Sequence, residues 1–182
     1  MPERITADRV ELRKHEIRLA PRMFEVLDRD RVRLAASLGW VSHVLTVSDE
    51  EKFILSSHAR WDAGEIYDYG LFRRDDGEYL GNAGLHTISL EHARAEIGYW
   101  IAGAFEGRGY VTEAVRALEK AAFSAGFHRL EIRCSSLNRR STRVPERLGF
   151  RLDGRLRDDC VEGDARADTL IFGRLRSDPD SA

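Results

Sequence analysis

Cysteine is almost absent from this chain: Cys134 and Cys160 are the only two among 182 residues, and no C-x-x-C pair occurs. A disulfide framework is excluded, and a reduced, cytoplasmic setting is the expectation. No stretch approaches 18 apolar residues, so no helix is expected to span a bilayer. Met1 to Glu16 is charged throughout and has no apolar core, which argues against a secretory signal. The chain also lacks an excess of charge: 29 basic and 31 acidic side chains leave a net charge of -2. Without a global field, direct nucleic-acid binding is disfavoured. Lysine is scarce, with only Lys14, Lys52 and Lys120. The arginines that replace it favour forked pairing with phosphate or carboxylate. The histidines at 15, 43, 58, 86, 92 and 128 show no metal-ligand spacing, so they are read as surface or partly buried polar residues and no metal is expected.

The chain holds 42% apolar and 33% charged residues, a globular balance. Its length fits one domain, taken as residues 1–176, with a polar, flexible tail at 177–182. Val10 to Arg13 alternates like a short strand, and Pro21 suits the first turn of a helix with Met23, Phe24, Val26 and Leu27 inside. Arg29 to Trp40 is ambiguous between helix and loop. Ser48 and Glu51 read as a capping box that opens a helix carrying Phe53, Ile54, Leu55 and His58. Strands are expected at Ile66 to Arg73, Tyr79 to Ser89 and Arg94 to Ala102, joined as an antiparallel meander. Then come a helix from Val111 to Ala125, a strand from Leu130 to Cys134, a helix from Asn138 to Leu148, and strands at Phe150 to Leu156 and Thr169 to Leu175. The fold class is α+β: a mixed, mostly antiparallel sheet with helices packed on it.

Two segments carry chemistry. The first is Glu106-Gly107-Arg108-Gly109-Tyr110-Val111-Thr112, between a strand and an amphipathic helix. Glycines let successive N–H groups converge, and the helix start adds its unpaired donors and partial positive charge. That suits a pyrophosphate, with Arg108 and Thr112 as added donors, although an ordinary turn would use the same glycines. It is neither a GxxxxGK loop nor G-x-G-x-x-G, which disfavours nucleotide hydrolysis and nicotinamide binding. The second is Asn138-x-x-Ser141 before Gly149-Phe150. Asn138 and Ser141 suit helix capping as well as ligand contact. Pro145 cannot donate to the Ser141 carbonyl four residues earlier, so that carbonyl is expected outside the helical ladder.

Together these segments resemble the GCN5-related N-acetyltransferases, over roughly Arg9 to Arg176. The loop pattern Gln/Arg-x-x-Gly-x-Gly/Ala reads here as Glu106-Gly107-Arg108-Gly109-Tyr110-Val111. Ser37-Leu38-Gly39-Trp40, Ala95 to Ile101 and Ile132-Arg133-Cys134 look closest to the RimJ/RimL branch, on its RimL side, whose members acetylate N-termini of ribosomal proteins. The resemblance implies acetyl-CoA in a V-shaped opening between two parallel strands, Arg94 to Ala102 and Leu130 to Cys134, with helices on both faces of the sheet. Backbone groups of Trp100, Ile101 and Ala102 would bond the pantetheine amides. Gly107, Arg108, Gly109, Tyr110, Val111 and Thr112 would hold the pyrophosphate. Asn138 would contact the pantetheine, and Ser141 would lie near the sulfur. Three positions depart from the pattern. Glu106 must turn its carboxylate from the phosphates, Val111 replaces a small residue, and Cys160 stands where the branch has a glutamate.

Acetyl transfer to an amine requires a neutral amine, a stabilised oxyanion and a protonated leaving thiolate. An α-amine ionises near 7.7 to 8.0, whereas a lysine does so near 10.4, so an N-terminal acceptor demands little of a base. Glu96 is one candidate base, with Asp158, Asp159 and Glu162 as alternatives. Ser141 is the candidate thiolate donor, ahead of Tyr110. Cys134 is read as a packing residue. The expected partners are acetyl-CoA and a protein N-terminus, first of all a ribosomal one, with a homodimer left open and no membrane contact. Two further readings stay open: an N-acetyltransferase for a small amine such as a polyamine or aminoglycoside, and a non-catalytic acyl-CoA-binding module.

Overall fold

The computed structural model describes residues 1–179; residues 180–182, the end of the expected tail, lie outside the described residues. Along the chain come β1 (Arg4–Thr6), β2 (Val10–Lys14), α1 (Ala20–Arg29), α2 (Arg31–Ala35), α3 (Val47–Asp62), β3 (Tyr67–Arg73), β4 (Tyr79–Ser89) and β5 (Arg94–Ile101). They are followed by α4 (Tyr110–Ser124), β6 (Arg129–Ser135), α5 (Arg139–Arg147), β7 (Arg151–Glu162) and β8 (Ala165–Leu175). The strands form one sheet in the order β1-β2-β3-β4-β5-β6-β8-β7. Among its neighbouring pairs only β5 and β6 run parallel, joined through α4. The mixed, mostly antiparallel sheet read from the sequence is the one that forms.

Each face of the sheet carries its own apolar cluster. On one, Val115 and Leu118 of α4 and Leu148 after α5 pack on Leu85, Ile97, Leu130 and Ile132. On the other, Met23 and Leu27 of α1, Leu34 of α2 and Ile54 of α3 pack on Phe72, Tyr79 and Trp100. At the chain's described end, the Asp178 carboxylate accepts from Leu175 N at 2.9 Å and the Pro179 carbonyl from Arg174 at 2.9 Å, which ties both residues to β8.

Three local expectations are corrected. The capping box of α3 is Thr46 with Asp49, not Ser48 with Glu51: Asp49 N donates to Thr46 Oγ1 at 3.3 Å and Thr46 N to Asp49 Oδ2 at 3.0 Å. Thr46 has the extended backbone a cap needs, φ −142°, whereas Ser48 is already helical. The buried stripe is therefore Glu50, Ile54, Ser57 and Trp61, and Leu55 faces outward. β7 and β8 are longer than expected and hold Asp158 and Asp159 in strand, not loop. β7 is an edge strand exposed along most of its length, so it shows no apolar alternation, and its charges protect the edge. The short β1 lies in the charged N-terminal stretch and pairs with β2.

The feature that positions the site is the parting of β5 from β6. They pair only at Arg94↔Arg129, Ala95↔Leu130 and Glu96↔Glu131. Beyond Glu96, β5 stays with β4 while β6 stays with β8.

One buried charge gives a test of this packing. Burial, opposed by His15 and aided by Asp68, pushes the Glu50 carboxyl from an ordinary 4.5 up to about 7. The folded protein then holds a proton that the unfolded chain releases above pH 4.5, so stability falls as pH rises from 4.5 through 7. The loss is on the order of 3 kcal/mol. Glu50→Gln is expected to raise the urea midpoint at pH 8, by about 1 to 3 kcal/mol in stability, and to change little at pH 4. An unchanged midpoint at pH 8 would contradict this.

Candidate active site

A cleft of about 960 Å³ opens where the two strands part. Glu96, the last residue of β5 paired with β6, stands at its apex. Tyr99, Trp100 and Ile101 form one wall, Cys134 and Ser135 of β6 the other, and Ser141 reaches in from α5. Along β5 the backbone alternates direction. Ala102 N donates to the Leu80 carbonyl at 2.8 Å, and the Trp100 carbonyl points at Gly81, where an added Cβ would lie 2.2 Å from it. Those two residues are thus committed to β4, which differs from the expectation for Trp100, Ile101 and Ala102. The groups that face the opening belong to Tyr99 and Ile101. The Ile101 carbonyl accepts from Arg33 Nη2 at 2.7 Å.

At the mouth, Gly107 and Gly109 have φ of 73° and 83°, left-handed values that favour glycine. Gly109 is the N-cap of α4, so the N–H groups of Tyr110, Val111 and Thr112 have no intrahelical acceptor. All three residues line the cleft, with Gly107 and Gly109. Arg108 is exposed, its guanidinium over Phe105 and outside the cleft wall. The carboxylate of Glu106 turns aside as required. It accepts from Arg33 Nη1 at 2.6 Å and from Arg140, so two guanidiniums neutralise it beside the loop. Asn138 caps α5: its Oδ1 accepts from Ser141 N at 3.1 Å, and its Nδ2 donates to Ser37 Oγ at 3.1 Å.

Deep in the cleft the Tyr99 hydroxyl donates to the Ser141 carbonyl at 3.0 Å and lies 3.2 Å from the Ser141 hydroxyl. Tyr99 therefore partners the carbonyl that Pro145 cannot reach. Burial pushes the Tyr99 phenol well above its ordinary value and keeps it protonated. Burial likewise pushes the Cys134 thiol up to about 11, against a hydrogen bond from Ser141, so Cys134 stays a thiol and packs. On the opposite side of β5, Glu96 Oε1 lies 4.0 Å from His86 Nε2 and Glu96 Oε2 4.0 Å from Arg133 Nε. Of the alternative bases, Asp159 and Glu162 line the cleft, but Glu162 already accepts from Ser37 and Asn138. Asp158 is outside the wall, its N–H bonded to Asp168 at 2.8 Å. Cys160 lines the cleft, half-buried. Among the described residues, no three His, Cys, Asp or Glu side chains gather to hold a metal.

The sequence profile of the Acetyltransferase (GNAT) domain matches residues 9–151. The chain belongs to the GNAT acetyltransferase family. It is 29% identical over 177 residues to the YdaF protein of Bacillus subtilis, covering 93% of this chain and 92% of that one. It is 27% identical over 154 residues to the ribosomal-protein-serine acetyltransferase of Escherichia coli, covering 84% and 85%. Among solved structures, RimL, a ribosomal L7/L12 alpha-N-protein acetyltransferase in complex with coenzyme A, superposes with a TM-score of 0.90 at 23% identity, covering 95% of this chain and 98% of that one.

As a GNAT N-acetyltransferase the protein takes acetyl-CoA as acetyl donor. Its residues fit that substrate: a left-handed glycine pair ahead of α4, and an unpaired strand edge at Tyr99 and Ile101. Sequence reasoning missed Tyr99, His86 and Arg33. Tyr99 was legible only as one face of a strand, and the other two act from elements whose register and placement no local motif encodes. Gly109→Asp puts a branched, charged side chain at φ 83° in the anion cradle. It is expected to weaken acetyl-CoA binding by at least about tenfold. Unchanged affinity by calorimetry would remove the pyrophosphate from this loop.

Proposed function

We propose that this acetyltransferase modifies the N-terminal α-amine of a protein, and that a ribosomal protein is its natural target. The observation that carries the acceptor class is the setting of Glu96. Arg133 lies 4.0 Å from one of its oxygens and His86 4.0 Å from the other, so the carboxylate is already engaged by two basic side chains. A carboxylate so engaged offers little help in deprotonating a lysine, which ionises near 10.4, whereas an α-amine near 7.7 to 8.0 is partly neutral near pH 7.5 and demands little of any base. The Escherichia coli relative, a ribosomal-protein-serine acetyltransferase, supports the same class and suggests a serine N-terminus.

Residues alternate across β5, so Glu96 and Tyr99 face opposite sides of the sheet. In this reading the amine enters from the Glu96 side. The thioester lies toward the Tyr99 and Ser141 side, with its pantetheine along the Tyr99 and Ile101 edge. The Ser141 hydroxyl, backed by the protonated Tyr99 phenol, hydrogen-bonds the leaving thiolate. Bound acetyl-CoA supplies the activated acetyl group; the chain supplies position, the exclusion of water and proton transfer.

An acetyl-transfer screen tests the reading directly. Peptides presenting serine or alanine at the N-terminus are expected to release coenzyme A at least about tenfold faster than blocked peptides presenting only lysine. Faster turnover of polyamines or aminoglycosides would move the acceptor to small amines. Binding of acetyl-CoA with no turnover on any acceptor would leave an acyl-CoA-binding module.

A further inference from the structure

We propose that His86, not Glu96, takes the proton from the acceptor amine; this rests on the acetyltransferase assignment and deepens the account of the same site. His86 stands on β4 directly across from Glu96 on β5, and both line the cleft. They share the face opposite Tyr99, the side from which the amine enters. His86 is thus placed at the reacting nitrogen, while Tyr99 and Ser141 are placed at the sulfur.

Two features of the backbone hold the ring there. Gly98, the next residue of β5 on that face, leaves the space the imidazole fills: an added Cβ would lie 2.7 Å from His86 Nε2. The ring therefore lies over the strand, toward the widening part of the opening. Its other nitrogen, Nδ1, lies 3.0 Å from the Thr87 hydroxyl. Thr87 has φ +50°, a left-handed conformation uncommon for a β-branched residue, within a register shift between His86 and Ser89. Strain of this kind persists where the surroundings impose it, and it concentrates at functional sites. The Thr87 hydroxyl can accept from Nδ1–H, and in that tautomer Nε2 keeps its lone pair on the cleft side.

The charged groups around the ring complete the case. Glu96 lies 4.0 Å from Nε2, and behind it Arg133 Nε lies 4.0 Å from Glu96 and 3.7 Å from Glu131. Glu96 thus sits between an imidazole and a guanidinium. It is placed there as a counter-charge for an imidazolium. Imidazole is the side chain that changes charge between pH 5 and 8, which matches it to an α-amine.

In the step, His86 Nε2 accepts one proton from the ammonium of the acceptor. The freed nitrogen lone pair bonds to the acetyl carbon and the carbon–sulfur bond breaks, its pair staying on sulfur. A second nitrogen proton leaves for water as the amide forms, and the thiolate takes a proton from water relayed through Tyr99 and Ser141, so one proton is released per turnover. The imidazolium returns its proton to water.

The test compares kcat/KM against pH for the native enzyme, His86→Gln, Gly98→Ala and Glu96→Gln, with acetyl-CoA affinity measured by calorimetry. The expected result for His86→Gln is a loss of about 100-fold at pH 7 that narrows above pH 9, where the amine is already neutral. Gly98→Ala, which leaves His86 in place but evicts its ring, is expected to show the same pH-dependent loss with unchanged acetyl-CoA affinity. Added imidazole is expected to restore part of the rate of His86→Ala. A His86→Gln enzyme within about threefold of native from pH 6 to 9 overturns the proposal, as does a deficit equal at every pH. So does a greater, pH-dependent loss in Glu96→Gln than in His86→Gln. Should the native enzyme act on a small amine and not on peptides, only the N-terminal acceptor falls, and the same comparison on that amine decides His86. An enzyme silent on every acceptor overturns both.

Discussion

After Glu96, strand β5 loses its neighbour in the middle of an eight-stranded sheet, and the rest of the site follows from that loss. Backbone N–H and C=O groups on such an edge are strong and must be satisfied. Leaving one buried without a partner costs about 1 to 3 kcal/mol. Arg33 answers the Ile101 carbonyl, while Ala102 turns away to Leu80 on β4. What remains along Tyr99 and Ile101 has the form of a missing strand. The start of α4 aims its free donors at the same opening. One end of the cleft therefore favours an extended chain with amides, and the other an anion.

The parting is held open from several directions. Gly81 adopts φ +153° and yields its side-chain space to the Trp100 carbonyl, so β4 stays in register with the far end of β5. Tyr99 props α5 through the Ser141 carbonyl. Across the mouth, Glu106 joins Arg33 on α2 to Arg140 on α5. Ser37 links Glu162 and Asn138, and Gly163 N donates to the Ala36 carbonyl at 2.8 Å. Single surface ion pairs contribute little, but these share partners across four elements and act on one gap. The acid that departs from the family loop pattern, Glu106, is thus a structural tie whose charge is spent on two arginines.

Much of the fold was legible because its signals are local. The period-2 runs of β3, β4 and β5 and the apolar stripe of α4 read directly, and the glycines at 107 and 109 marked the loop. Other features depend on partners distant in sequence. Arg33 reaches Ile101 across 68 residues, and Glu119 pairs with Arg174 in the interior across 55. β7 was read only as far as Leu156, because it is exposed on both faces over most of its length and shows no alternation to carry it further. The capping box was misplaced by two residues because Thr46-x-x-Asp49 and Ser48-x-x-Glu51 satisfy nearly the same pattern. Backbone conformation, invisible in the sequence, chose between them. His86 was invisible as a site residue for the same reason: its meaning lies in its register with Glu96 and in the space Gly98 leaves.

The central claim, that the unpaired edge of β5 receives the pantetheine of acetyl-CoA, is tested most directly by amide hydrogen exchange resolved to single residues. Saturating acetyl-CoA is expected to slow exchange at Tyr99 and Ile101 by at least about tenfold, because their N–H groups gain acceptors. Ala102, already bonded to Leu80, is expected to change little. Unchanged exchange at Tyr99 and Ile101 in the saturated complex would contradict the account.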